Sequence, residues 1–500
     1  MDKLRKTGIL LHPTSLPSPY GIGDLGRESY SFMEFVKNCN LHIWQILPIG
    51  PVGYGNSPYQ SYSAFAGNPL LISIELLIEE GLLPDTILTD YPSHLDSDKI
   101  DFAKVNILKS ELFRKAFNRF NELPKPDDYF VFLEENRSWL NNYALFMSAK
   151  NYFNGSVWKQ WDKAIALREH QGIDYYSNLL KEEIDYHIFL QYKFFQQWKK
   201  LKNHANLLGI KIIGDLPIFV SYDSSDVWSN PQLFDLNNEG NPNHVAGVPP
   251  DYFSKNGQYW GNPLYRWPVM AQDDYFWWQE RFRSLLKLVD LIRIDHFRGF
   301  EAYWQIPATE KTAVNGKWIK GPGANFFSTI EKHLGPLPVI AEDLGFITPD
   351  VHRLRNRFNY PGMQVLQFAF EDGKEAIEKA LGTYNMAVYT GTHDNDTTLG
   401  WYRNCLREKP NAIKNLSQYC NINFKEDDSH ISWELIELAF KSKGKYVIIP
   451  FQDVLSLDST ARMNFPGTVG DDNWSWRFKK EQINDIIINR LKMLSQKYIQ

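Results

Sequence analysis

Eight short apolar runs recur along the chain, at 8–12, 43–48, 209–215, 289–295, 338–343, 363–368, 386–394 and 445–450, each closing on polar or small residues. Their apolarity is continuous rather than alternating, the pattern of strands buried on both faces in a parallel sheet covered by helices. Helical patterns lie between them. In 277–289, Trp278, Phe282, Leu285 and Val289 fall on one stripe, and 182–201 is a second such segment. Thr348, Pro349 and Asp350 read as an N-cap, a proline at the first helical position and an acidic first turn. Eight strands alternating with helices predict an α/β fold, a (β/α)8 TIM barrel. A doubly wound open sheet is the alternative that pattern alone leaves open.

The spacing of the runs is uneven, and a 500-residue chain exceeds what one compact core usually holds. The expected organisation is one barrel domain over 1–500 with three insertions. The stretch 75–180 reads as an inserted helical subdomain. The stretch 216–276, rich in Pro, Gly, Asn and aromatics, reads as a long inserted loop subdomain at the mouth. The stretch 400–440 reads as a smaller, partly helical insertion. Loops of such length usually carry function or cover a site.

Composition narrows the partners. The 74 aromatic residues (16 Trp, 26 Tyr, 32 Phe) exceed what core packing requires, and flat rings pack well on sugar faces, so they hint at a carbohydrate ligand, although most aromatics in any protein simply fill core. A net charge of −5 without basic blocks argues against nucleic acid or an anionic membrane as partner. Cys39, Cys405 and Cys420 form no CxxC pair and suggest a reducing, cytoplasmic compartment. The apolar run 9–11 is too short for a signal-peptide core, and no stretch reaches the roughly 18 residues of a membrane span. No HExxH, EF-hand or phosphate-loop spacing occurs, so neither metal nor nucleotide cofactor is expected.

Several apolar runs end in acids: Asp215, Asp295 and the pair Glu342–Asp343, with Asp394 following another. On a barrel these strand ends meet around one mouth, so carboxylates scattered in sequence converge. Helix capping is the bland account of any single one, but four such positions joined by Arg293, His296 and His393 make coincidence less credible. Acetal cleavage needs this set: a carboxylic acid to protonate the departing oxygen and a carboxylate to attack or stabilise the anomeric carbon. Arg293 and Asp295 share one face of a strand while Ile294 points the other way, which pairs a cation with a nucleophile. A purely structural ion pair is the competing account. Ser57 and Ser15 lack a nucleophile-elbow pattern; for their hydroxyls a sugar-binding and a structural role stay open. Tyr265 and Trp267 are assigned to packing.

Long segments resemble the amylomaltases, the 4-α-glucanotransferases of glycoside hydrolase family seventy-seven in the α-amylase clan. They are GILLHPTSLPSPYGIGDLG (8–26), WQILPIGPVGYGNSPYQSYSAFAGNPLLI (44–72), GDLPIFV (214–220), AGVPPDYFSKNGQYWGNPLYRW (246–267), IRIDHFRGF (292–300), IAEDLG (340–345), YTGTHDNDTTLGW (389–401) and RMNFPGTVGDDNWSWR (462–477). The resemblance implies Asp295 as nucleophile, Glu342 as acid/base and Asp394 as the third acid, which binds ring hydroxyls. It implies substrate contacts from Arg293, His296, His393 and Asp215, with Tyr54, Tyr59, Ser57, Trp260 and Phe368 along the glucan path. It implies no cofactor and no separate C-terminal β-domain, in keeping with the helical pattern at 481–498. The implied reaction is retaining transfer of an α-1,4-glucan segment to a glucan 4-hydroxyl, with maltooligosaccharides, amylose, starch or glycogen-derived glucans as partners. A monomer or weak homodimer is expected. A retaining α-glucan hydrolase and a non-catalytic glucan-binding protein are the alternatives.

Overall fold

The computed structural model describes residues 5–87, 98–250, 254–420 and 428–498. Parts of the three expected insertions, 88–97, 251–253 and 421–427, lie outside the described residues. So does the same 251–253 stretch of the 246–267 motif.

All eight apolar runs contain strands of one parallel sheet. In chain order these are Lys6–Leu10, Ile43–Gln45, Lys211–Pro217, Leu291–Asp295, Val339–Ala341, Gly362–Val365, Met386–Tyr389 and Tyr446–Pro450. The first strand pairs with the last as well as with the second. The fifth and sixth meet where the Ala341 N–H donates to the Pro361 carbonyl at 2.8 Å. The sheet therefore curls into a near-closed barrel rather than the doubly wound alternative. Register follows from the side chains at closest approach. A Cβ on Gly8 would lie 2.3 Å from the Ile43 carbonyl oxygen, so only glycine lets the first two strands pair there. Ile212, Ile213, Ile292, Ile294, Ile340, Val447 and Ile448 are fully buried. Each contributes about 1.5–3 kcal/mol by leaving water.

Helices wrap this barrel. Lys181–Leu207 extends the 182–201 pattern, while Phe276–Leu288 stops one residue short of the 277–289 pattern, leaving Val289 in extended backbone; Trp278 and Phe282 are fully buried. Before the third strand lie Phe102–Glu122, Asp127–Glu135, Leu140–Tyr152 and His170–Leu179. Buried Lys109 ties the first of these to the barrel by donating to the Leu70 and Ile72 carbonyls at 2.7 and 2.9 Å. The helix Asp485–Tyr498 closes the described chain. Among the described residues no helix is long and apolar enough to cross a membrane.

Three local expectations need correction. The helix Pro349–Arg357 starts where predicted, but Thr348 makes no side-chain cap and its buried hydroxyl has no partner. The run 363–368 is strand only to Val365; Leu366–Asp372 is helix and carries Phe368. The stretch 216–276 holds strands as well as loops. His244–Val248 and Gln258–Pro263 join Ala302–Pro307 and Lys317–Lys320 in a four-stranded antiparallel sheet beside the barrel. Tyr265 and Trp267 are buried packing residues, as assigned.

Candidate active site

The register of neighbouring strands sets the acids side by side. Asp215 pairs with Arg293, Pro217 with Asp295, and Ile294 with Ala341, one residue before Glu342. Side chains alternate along a strand, so Arg293 and Asp295 face one way while Ile294, fully buried, fills the barrel wall. The Arg293 guanidinium is the hub. Its Nη1 donates to Asp215 Oδ2 at 2.5 Å and its Nη2 to Asp295 Oδ1 at 3.0 Å. Asp215 also accepts from the Tyr59 hydroxyl at 2.6 Å and is buried behind the other two. Asp295 keeps 28% of its side chain open, enough to meet a ligand.

Glu342 docks on the backbone that follows Asp295. His296 N–H donates to its Oε2 at 2.7 Å and Leu344 N–H to its Oε1 at 2.9 Å, while Phe297 N–H donates to the Glu342 carbonyl at 3.1 Å. His296 sits at a positive φ of 50°, a left-handed conformation that turns the chain sharply after the strand and aims its amide at Glu342. Burial raises the carboxyl of Glu342, opposed by Arg293 and the two amides. Burial also raises Asp295, with Asp215, Glu342 and Asp394 adding to it and Arg293 opposing. Crowded carboxyls of this kind share protons rather than all ionise. The direct contact with Arg293 favours the charge on Asp295, while the His296 and Leu344 amides favour it on Glu342.

The loop after the next-but-one strand, Met386–Tyr389, adds a further acid. Asp394 Oδ1 accepts from Asn464 Nδ2 at 2.6 Å, its carbonyl accepts from Arg462 at 2.6 Å, and His393 Nε2 lies 3.4 Å from the same Oδ1. The His393 ring stacks on Tyr59 with centroids 5.3 Å apart, and Trp474 packs against both. Burial holds His393 below its ordinary value and His296 at about 3, so both imidazoles are neutral at pH 7. Trp260 meets His296 edge-on at 4.9 Å.

Thus Asp215, Arg293, Asp295, His296, Glu342, His393, Asp394, Tyr59 and Trp260 form one connected cluster. Three predicted residues stand apart from it. Ser57 Oγ accepts from the Tyr59 amide at 3.3 Å, a local turn contact. Tyr54 is 77% exposed and Phe368 41% exposed. Asp343, read in sequence as half of an acidic pair, turns away: it is buried on Arg355 at 2.5 Å and on the Met363 amide at 2.8 Å. Asn464, Arg462 and Trp474 were not singled out from the sequence, although they lie in the quoted 462–477 motif. Among the described residues no cluster of three or more His, Cys, Asp or Glu could hold a metal ion.

A parallel barrel whose strand ends gather carboxylates around an arginine belongs to the large class of barrel enzymes that work from the C-terminal rim. Comparison with known proteins narrows the class: the family model for 4-alpha-glucanotransferases of glycoside hydrolase family seventy-seven matches residues 11–483, and the chain belongs to that family. The 4-alpha-glucanotransferase of Synechocystis sp. is 46% identical over 506 residues, covering 100% of this chain and 98% of that one. That of Thermus thermophilus is also 46% identical, with 99% of each chain covered. Among solved structures, an amylomaltase from Streptococcus agalactiae in complex with acarbose superposes with a TM-score of 0.93 at 38% identity, covering 99% of both chains.

Proposed function

We infer that the protein is a 4-α-glucanotransferase that acts on α-1,4-glucans by double displacement, with Asp295 as nucleophile and Glu342 as acid/base. The observation that carries the assignment of roles is the docking of the Glu342 carboxylate on the amide directly after Asp295, with Arg293 gripping Asp295 from the other side. In the first step Glu342 gives its proton to the glycosidic oxygen as Asp295 attacks C1; the C1–O4 bond breaks and an ester to Asp295 forms. In the second step the acceptor's 4-hydroxyl passes its proton to Glu342 and attacks C1, and the ester breaks. Two inversions restore the α-1,4 bond and both carboxyls.

In this reading Asp394, braced by Asn464 and His393, takes ring hydroxyls of the sugar at the broken bond. Tyr59 and Trp260 wall the site, Tyr54 and Phe368 extend the glucan path, and the 216–276 insertion covers the mouth. Asp215, being buried, orients Arg293. Three buried free thiols support a reducing, cytoplasmic setting. A monomer or weak homodimer is our expectation for solution. The function is tested by incubating the pure protein with maltotriose. Transfer yields glucose together with oligomers longer than three; a rise in reducing ends without longer products selects the hydrolase instead.

A further inference from the structure

Phe346 presents one of the most exposed large aromatic rings described, with 68% of its surface open, four residues after Glu342. A lone exposed ring is ordinary, but this one is built in place. The buried Arg298 donates to the Phe346 carbonyl and sets its guanidinium 3.7 Å from the centroid of the Trp318 ring and 5.6 Å from that of Phe346. The Trp318 and Phe346 rings are parallel to within 18°, centroids 6.3 Å apart. Trp318 in turn rests edge-on against Trp304 of the antiparallel side sheet. The ring is thus held at a fixed angle by a cation and a second ring, with its outer side free.

We propose that Phe346, backed by Arg298 and Trp318, is a stacking platform for the α-1,4-glucan acceptor, taking a sugar ring beyond the one at the new bond. The placement follows from chemistry. Glu342 handles the oxygen that leaves and the oxygen that enters, so leaving group and acceptor extend from its side of the site. Four residues of chain reach at most about 14 Å, which keeps Phe346 within that distance of Glu342. A pre-set ring costs little ordering when the sugar arrives. The proposal rests on the transferase reading above.

The test uses a maltotriosyl fluoride donor blocked at its terminal 4-hydroxyl, so that it cannot itself accept, and compares glucose with maltotriose as acceptor. Glucose fills only the position at the bond; maltotriose reaches further. In Phe346→Ala the ratio of kcat/KM for maltotriose to that for glucose should fall roughly 3- to 10-fold, the usual worth of one aromatic contact. Phe346→Leu, apolar but without a flat face, should lose the same preference, and Phe346→Trp should keep it. A ratio within twofold of wild type in both the Ala and Leu variants overturns the platform. Absence of any transfer product from the wild-type protein would refute the transferase reading itself, which separates the two failures.

Discussion

Replacing Arg293 by lysine isolates what the guanidinium does. The fork reaches two acids at once, Asp215 at 2.5 Å and Asp295 at 3.0 Å, from a buried position. A single ammonium keeps the charge but cannot span both carboxylates. Buried Asp215 would hold it, since a carboxylate away from water needs a partner more than the partly open Asp295 does. Asp295 then loses one charge-assisted hydrogen bond, worth about 1.5–3 kcal/mol, or roughly 10- to 150-fold in kcat/KM. The sign of the pH effect is also set. Burial and three neighbouring acids raise Asp295 and Arg293 opposes them, so weakening that opposition raises it further. The nucleophile then ionises only at higher pH, and the acid limb of the kcat/KM profile moves upward while the unfolding transition stays close to wild type. The assay is initial-rate maltotriose disproportionation from pH 4 to 9, with urea denaturation alongside. A variant within twofold of wild type and with an unshifted acid limb would refute Arg293 as the group that keeps Asp295 charged.

Two further variants separate support from stability. Asn464→Ala removes the 2.6 Å donor to Asp394, whose side chain is 47% exposed, so water replaces part of the contact and kcat/KM for maltotriose should fall about 10-fold, the lower end for a charged hydrogen bond. Lys109→Met breaks the bonds to the Leu70 and Ile72 carbonyls and strips the cation 3.7 Å from buried Asp24; stability measured by urea should drop by about 3–5 kcal/mol, with part of it recovered in the Asp24→Asn, Lys109→Met double variant.

The barrel was legible because its strands are buried on both faces, which forces uninterrupted apolar runs such as Ile212–Ile213 and Val447–Ile449. The acids were legible because strand ends converge, and the Arg293–Asp295 spacing fixes their common face. The side sheet was not. Its strands QYWGNP and KWIK are short, partly exposed and crossed by glycine, proline or lysine, so neither a continuous nor an alternating pattern survives. Asn464 escaped notice for a different reason: it meets Asp394 across 70 residues, from a segment without regular secondary structure. Asp343, next to Glu342 in sequence, turns toward Arg355 instead. Which of two adjacent acids faces the mouth is a matter of register, which composition does not carry.

The central claim is covalent capture of a sugar on Asp295, and trapping tests it most directly. In Glu342→Gln the second step lacks its base, while α-maltotriosyl fluoride still reacts because fluoride departs without a donated proton. Intact mass spectrometry should then show one added maltotriosyl unit, and peptide mapping should place it as an ester on Asp295. An adduct on another residue, or turnover of the fluoride to the β-anomer with no adduct, would contradict the account.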